Sequence, residues 1–466
     1  MPPASSKFSV LGRQAFYSLA VAAQVCVACA GASDSASVGG AAGSNAEGGE
    51  SDQDAGRGAA AGNAGTDPTA GALASGGDAA AAGQDTAGGA AGLADAEFAG
   101  ASGAASAGFV PAPHAPFPLV TDHGGPRIKN IELVPVYFGD DPLRAELERF
   151  NSWIVESNYW KHTGAEYGVH PGTRLPAIQF ESVTAASISD TEIANWIDAR
   201  IADGGLPKPN ENTLFALFYQ AGTTITTGPA RSCREFAAAH KSVAIANPIF
   251  TGNVPYAIIP RCSFSPGDEL MIATDVASHE YMEAATCPYP HTDPTWLMDN
   301  LSGPLEAWWG LSGPAVPDLC LNQSYDMIEG FSVNDIWSNA AAQAGNNPCQ
   351  PSDPKHPFFS VSAEQTIYHA QPGATLIIKA VAWSNLPTKD WSLGVNWGWV
   401  PDSDFDGHAV LSTETVNNGD EVTATVTIPL NPPVVNGRSA YRFTIDSIDP
   451  INPNFSHPWP FLVIVP

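Results

Sequence analysis

Hydrophobic and polar positions divide the chain into three stretches with different periods. Residues 30–114 show no period, and no aromatic residue occurs in them before Phe98. A Gly/Ala/Ser/Asp-rich segment of this kind cannot bury enough apolar surface to offset its chain entropy, so it is expected to be a disordered tether. Treated as a Gly-rich coil, it would span about 50 Å. Residues 115–352 alternate strand-like and helix-like patterns. The apolar run 128–138 ends at Gly139-Asp140-Asp141-Pro142 and reads as a buried strand, as do Thr213–Tyr219 and Val254–Pro260. Leu143, Leu147, Phe150 and Ile154 fall at helical spacing. Ser189-Asp190-Thr191-Glu192 has the form of a capping box ahead of Ile193, Trp196, Ile197 and Ile201. A third helix is predicted after Ser265-Pro266-Gly267-Asp268, because no Gly or Pro interrupts residues 269–286. This mixture predicts an α/β or α+β domain.

From His356 the period becomes two. Val422, Ala424, Val426 and Ile428 alternate with threonines, and Tyr441, Phe443 and Ile445 alternate with polar residues. Leu376–Trp383 and Trp459–Val465 add further short strands between turn residues. The pattern predicts an immunoglobulin-like or fibronectin-like β-sandwich over residues 356–466. The expected architecture is therefore multidomain, with a tether, an α/β or α+β domain and a sandwich.

Ahead of the tether, Lys7 and Arg13 precede the apolar run Ala15–Ala28, with small residues following. This is the layout of a secretory signal over residues 1–29, shorter than the roughly 20 apolar residues of a bilayer-spanning helix. Cys26-Val27-Ala28-Cys29-Ala30 is similar to a bacterial lipobox, with Cys26 where that motif usually has Leu. Lipidation of Cys29 would be the chain's one link to a membrane. An ordinary signal cut at a neighbouring Ala is the other reading. Either way the protein is expected to be exported, at the cell surface, on the outer membrane or outside the cell.

Charge narrows the function classes. With Lys+Arg 20 against Asp+Glu 48 the net charge is -28, and no basic stripe exists to displace counterions from nucleic acid. Beyond the signal, Cys233, Cys262, Cys287, Cys320 and Cys349 include no C-x-x-C pair, which argues against a zinc ribbon or a thioredoxin-like site. In an oxidising compartment, two disulfides with one cysteine left over are expected. No G-x-S-x-G, phosphate loop or dinucleotide fingerprint is present.

The chemistry concentrates in residues 269–286. Asp275, His279 and Glu283 lie at i, i+4 and i+8, which places them on one helix face, with Glu280 on the flank. His and Glu one turn apart can ligate one metal ion while the adjacent Glu polarises a water, the arrangement of a zincin helix with the second His replaced by Glu. A carboxylate ligand cancels part of the ion's charge, so the bound water is acidified less than by three imidazoles. Zinc stays favoured by the His. A solvated acidic face carrying a chance histidine is the plainer reading of the same residues.

The stretch Ala277-Ser278-His279-Glu280-Tyr281-Met282-Glu283-Ala284-Ala285-Thr286-Cys287-Pro288, followed by Pro317-Asp318-Leu319-Cys320 and Trp337-Ser338-Asn339, resembles a family of exported bacterial proteins. Its members carry S-H-E-x-x-E-A-x-T-D-P and a later E-x-x-D-x-C suggestive of a zincin-like metallopeptidase, and plant exordium-type cell-wall proteins are similar at greater distance. Upstream pieces, among them Glu166–Val169, Asn212–Leu214 and Cys233–His240, fit as well, so the likeness covers most of residues 120–350. Cys287 stands where the family has Asp, and Ala315 and Val316 stand where it has an acid before Asp318. The resemblance implies His279, Glu283 and Asp318 as metal ligands, Glu306 as the alternative third ligand, and Glu280 as the catalytic base. Together with proximity, it also implies the pairs Cys233–Cys262 and Cys320–Cys349.

The expected function is that of a zinc-dependent hydrolase acting on peptides or proteins. The alternative is a non-catalytic surface protein binding a cell-surface polymer, with a structural metal or none. His240 is a candidate for steadying a substrate group, His291 for reaching the ion and Asp275 for orienting His279. Asp402-Ser403-Asp404-Phe405-Asp406-Gly407 matches the first half of a calcium loop, with Thr413 where the twelfth-position Glu belongs. Calcium at Asp402, Asp404 and Asp406 is weighed against an acidic turn between strands.

Overall fold

The computed structural model describes residues 108–182, 184–299, 303–309, 313–321, 326–396, 409–432, 439–450 and 456–466. The signal with Cys29, residues 30–107 and the loop holding Asp402, Asp404 and Asp406 lie outside them.

The N-terminal part is organised by a six-stranded sheet. It contains β1 (Asn130–Phe138), β2 (His170–Arg174), β3 (Ile178–Phe180), β4 (Thr213–Phe218), β5 (Ala239–Ala246) and β6 (Thr251–Ile259). The strand order is β2-β1-β4-β6-β5, with β3 also pairing β1. All pairs are parallel except β6 with the edge strand β5. Parallel strands are covered on both faces, which is why every residue of β4 is buried.

Four longer helices accompany the sheet: α1 (Arg144–Ile154), α2 (Asn158–Ala165), α3 (Asp190–Ala202) and α4 (Glu269–Thr286). On one face Val134, Val136, Phe215, Leu217, Tyr256 and Ile258 pack with Ile193, Ile197 and Ile201 of α3. The other face carries Ile131, Leu133, Leu214, Ala216 and Ile259, packed with α1 and α4. The capping box read from the sequence is present, with Ser189 and Glu192 exchanging bonds at the start of α3.

The C-terminal part consists of two facing sheets. Strands β7 (Phe359–Ser362), β8 (Ile367–His369), β9 (Thr375–Ser384), β10 (Trp391–Asn396), β11 (Ala409–Leu411), β12 (Thr415–Val416), β13 (Glu421–Thr427), β14 (Ser439–Ile448) and β15 (Ser456–Val465) form the orders β7-β9-β13-β11 and β8-β15-β14-β10-β12. Ile378, Ala380, Val422, Ala424, Val426, Phe443 and Ile445 fill the space between them, so the period-two reading holds. The molecule is thus β-rich and multidomain, with one mixed and one all-β part.

One hydrophobic cluster runs through both parts. Phe117 lies 5.7–6.1 Å from the rings of Trp308, Trp337, Phe358, Trp383 and Trp459. His114 stacks on Trp383 at 3.7 Å, and Asn418 bonds the backbone of Val110 and Ala112. Residues 110–117 are therefore held on the sandwich before the chain enters the first sheet.

Disulfides Cys233–Cys262 and Cys320–Cys349 form, and Cys287 is a buried free thiol. Two disulfides fit an oxidising, exported location. No helix among the described residues is long and apolar enough to cross a membrane.

Candidate metal centre

Helix α4 is apolar or small around most of its circumference, and such a helix must be enclosed. Every residue from Ile272 to Thr286 is buried. It packs against β5, β6, α1 and the strand Phe331–Val333. Polar groups fix it there. Tyr281 donates to Asn151 Oδ1 at 2.8 Å, while Asn151 Nδ2 donates to the Tyr137 hydroxyl at 3.1 Å, tying α4 to α1 and β1. Asn334 N donates to Ser278 Oγ at 2.8 Å and Ser332 donates to Asp275 Oδ1 at 3.3 Å.

Enclosing α4 buries its ionisable groups: Asp275, His279, Glu280 and Glu283 are all 8% exposed or less. Asp318 joins them from a short 3-10 turn, Asp318–Cys320, located by the Cys320–Cys349 disulfide and by Ala315 N donating to Asp318 Oδ2 at 2.9 Å. Gly313 makes room, since its φ is +136° and a Cβ there would overlap the Asp318 carboxylate.

His279 Nε2 lies 3.5 Å from Glu283 Oε1 and 3.5 Å from Asp318 Oδ1. A ring N–H can point at one acceptor only, and 3.5 Å is long for a hydrogen bond. The same distance is close to the edge of a tetrahedron around an ion with bonds of about 2.1 Å, roughly 3.4 Å. His279 Nδ1 has no partner among the described residues, so the ring's polar engagement is through Nε2. In each of two sets, His279-Glu283-Asp318 and His240-Glu280-Glu283, the buried ligand atoms lie within 4.8 Å of one another.

Asp275, Glu280, Glu283 and Asp318 are buried close together, and burial of their charge is offset by the neighbouring imidazoles of His240 and His279, by protons or by a cation. Burial pushes Asp275 up to about 7, against the opposing pull of His279. Burial and the Glu283 charge push Asp318 up to about 6. Burial and Glu283 also raise Glu280 well above the carboxylate range, and the two side chains share a hydrogen bond. For Glu283 burial works the other way, but His240 and His279 outweigh it and hold the carboxyl low. The His279 ring is likewise penalised by burial, yet Asp318 and Glu283 keep it well above its usual value. The donors, spacing and charge all suit a divalent cation.

The structure thus brings His279, Glu280, Glu283 and Asp318 together. Glu306 begins α5 (Glu306–Trp309), which packs on β15, and it belongs to neither set of ligand atoms. Asp275 accepts from Ser332 instead of meeting those atoms, and His291 is exposed on the loop after α4. His240, read as a substrate-steadying group, instead meets Glu283 at 2.7 Å. Buried Asp335, which burial, Asp326 and Asp275 hold well above the usual range, was not visible in the sequence pattern. It lies in a polar turn with no ligand spacing to mark it.

No protein-family model matches the chain, and no curated protein does either. Among solved structures, S-layer protein SbsC domains 4 and 5 are similar over 24% of this chain at 15% identity and a TM-score of 0.17. The chain spans 53% of that structure's length. OgpA from Akkermansia muciniphila, a catalytically inactive form with an O-glycopeptide substrate, is similar over 72% of this chain and 93% of its own at 12% identity and a TM-score of 0.21. Murine CRIg is similar over 24% of this chain and 96% of its own at 11% identity and a TM-score of 0.15.

Proposed function

We propose that the protein is an exported, metal-dependent hydrolase of zincin type that cleaves peptide bonds, carried on a surface tether and followed by an immunoglobulin-like module. One observation carries this reading: folding sets His279 Nε2 3.5 Å from both Glu283 Oε1 and Asp318 Oδ1, with the three ligand atoms within 4.8 Å of one another in a buried pocket of charge that also holds Glu280. His279 Nε2, Glu283 Oε1 and Asp318 Oδ1 would hold the ion, with zinc favoured by the imidazole and the near-tetrahedral edges. A bound divalent cation supplies Lewis acidity toward the substrate carbonyl and lowers the pKa of water at the site.

The chain's residues do the rest. Glu280 takes the proton of the attacking water and delivers it to the leaving amine, a role suited to a carboxyl whose pKa is raised by burial. Glu283 and Asp318 retain about a tenth of their side-chain surface, 10% and 9%, against 3% for His279, so the site meets solvent on its carboxylate side. That depth of burial also favours the second reading, a structural ion in a surface-binding protein. The two separate on Glu280→Gln in a peptidase assay on metal-loaded protein. Hydrolysis lost with the ion retained supports the enzyme; a wild type that binds zinc but cleaves no peptide supports the structural ion. Lipidation at Cys29 belongs to the same proposal and is read by mass spectrometry of the mature N-terminus, where an unmodified Ala removes it.

A further inference from the structure

The three proposed ligands are held from different directions. His279 and Glu283 belong to α4, which Tyr281, Asn151 and Tyr137 tie to α1 and β1. Asp318 stands on a three-residue turn whose two flanks are both fixed through Trp337. The Trp337 backbone N–H donates to the Val316 carbonyl at 3.4 Å, two residues before Asp318. In the short ladder of Ile336–Trp337 with Cys349–Gln350, Trp337 lies opposite Cys349, whose sulfur is bonded to Cys320, two residues after Asp318. The Tyr167 hydroxyl donates to the Trp337 carbonyl at 2.6 Å, which secures the backbone of Trp337 from the first part of the molecule.

The ring of Trp337 is left to the sandwich. It is buried, and its Nε1 has no partner among the described residues, so packing alone orients it. Phe117 meets it at 5.8 Å and 78°, and Trp308 at 6.3 Å and 64°. Phe117 in turn lies 5.7–5.8 Å from Phe358, from Trp383 of β9 and from Trp459 of β15. The indole nitrogens of Trp383 and Trp459 are likewise without partners among the described residues. Rings packed without hydrogen bonds keep their places only while the space between them is filled, because neighbours relax toward a cavity. Phe117 fills that space, and it links the sandwich to the residue that holds the Asp318 turn.

We infer that Phe117 and Trp337 are positioning residues for Asp318, and that through them the sandwich is an integral part of the metal centre rather than an appended module. The inference rests on the proposed ligand set His279-Glu283-Asp318. Emptying the Phe117 position lets Trp337 shift, and the Asp318 turn moves with it while α4 keeps His279 and Glu283 in place. A centre left with two well-placed ligands holds its cation more weakly and in a different geometry.

The test measures Zn2+ affinity by competition with a chromophoric chelator, and the visible spectrum of the Co2+-loaded protein, which reports coordination geometry. Full-length chains are used, with circular dichroism as the fold control. Phe117→Ala is expected to bind Zn2+ about 10- to 100-fold more weakly than the wild type, with a changed Co2+ spectrum. Phe117→Leu refills most of the space and is expected to fall between the two. Ile197→Ala opens a cavity in the separate cluster on the α3 face, and is expected to lower the unfolding midpoint with affinity and spectrum unchanged. With Asp318→Ala already in place, Phe117→Ala is expected to weaken Zn2+ binding little further, since the ligand it positions is gone. Wild-type affinity and spectrum in the folded Phe117 variants overturn the inference. An equal loss in Ile197→Ala, or a full further loss in the Asp318→Ala background, overturns it as well. Where Phe117→Ala does not fold, Phe117→Leu decides: reduced affinity supports the inference and unchanged affinity overturns it. A folded wild type that binds no Zn2+ overturns the ligand set itself, and this inference with it.

Discussion

Helices α3 and α4 flank the same mainly parallel sheet, yet they are built by opposite rules. In α3 only Ile193, Ile197 and Ile201 are buried, a capping box closes the N-terminus, and Arg200 pairs with Asp203 at the surface. Apolar spacing, cap and charge all favour one solvent-facing amphipathic helix. In α4 residues Ile272–Thr286 are all buried, no side chain caps the first turn, and the inward groups include two glutamates, an aspartate and a histidine. A helix selected for stability alone would carry apolar residues at those positions, because a buried charge is costly unless it is paired or ligated. The difference between the two helices marks the candidate site: α3 supports the sheet, and α4 spends stability on a polar centre.

The comparison breaks most sharply at Glu280. If the proposed function holds, Glu280→Gln in the metal-loaded protein should lower peptide hydrolysis by about 10²- to 10⁴-fold while the ion is retained. Steady-state assays beside metal analysis read both; unchanged hydrolysis removes Glu280 from the reaction. Next in size is Gly313→Ala. Its positive φ and the overlap of a Cβ with the Asp318 carboxylate should reduce stability by about 1–3 kcal/mol. Displacing that carboxylate should also weaken metal affinity by about 10- to 100-fold. Denaturant unfolding and calorimetry check the pair, and full affinity in the variant would show that Asp318 is not a ligand.

Smaller still is the pH response. Asp275 and Asp318, raised to about 7 and about 6, hold more protons folded than unfolded between about pH 4 and 7. The stability of the metal-free protein should therefore fall as pH rises through that window. Glu283 is held low, so its contribution is lost only on the acid side, as pH drops below the usual carboxylate range. A cation displaces protons, so the rise in Tm on adding zinc should grow from pH 5 to pH 7. A zinc effect that is flat across this range contradicts proton release from these carboxyls. The smallest effect belongs to the other helix. Ser189→Ala should cost about 1 kcal/mol by loss of the cap and leave zinc affinity unchanged.

What could be read from the sequence follows the same division. The strands 128–138 and 213–219 and the capping box of α3 were legible because local pattern and tertiary environment agree there. Asp275, His279 and Glu283 were legible as one face of α4, because helical spacing alone puts them there. Asp318 could not be reached by spacing, since it arrives through a loop and a disulfide, and a family resemblance supplied it. His240 pointed to the right neighbourhood with a different partner: the antiparallel register of β5 on β6 sets it opposite Ala257 at the sheet edge nearest α4. Glu306 was the alternative third ligand that the resemblance implied; α5 packs on β15, and Glu306 belongs to neither set of ligand atoms among the described residues. The aromatic cluster around Phe117 was not legible, because contacts between residues hundreds of positions apart leave no local period.

The central claim is that His279, Glu283 and Asp318 hold a divalent cation. It is tested most directly by metal content after full-length protein is loaded with one equivalent of zinc and exchanged into metal-free buffer, with His279→Ala as the comparison and circular dichroism confirming that both are folded. The account predicts one zinc retained per wild-type chain and none in His279→Ala. A folded wild type that retains no zinc, or a variant that retains as much as the wild type, contradicts it.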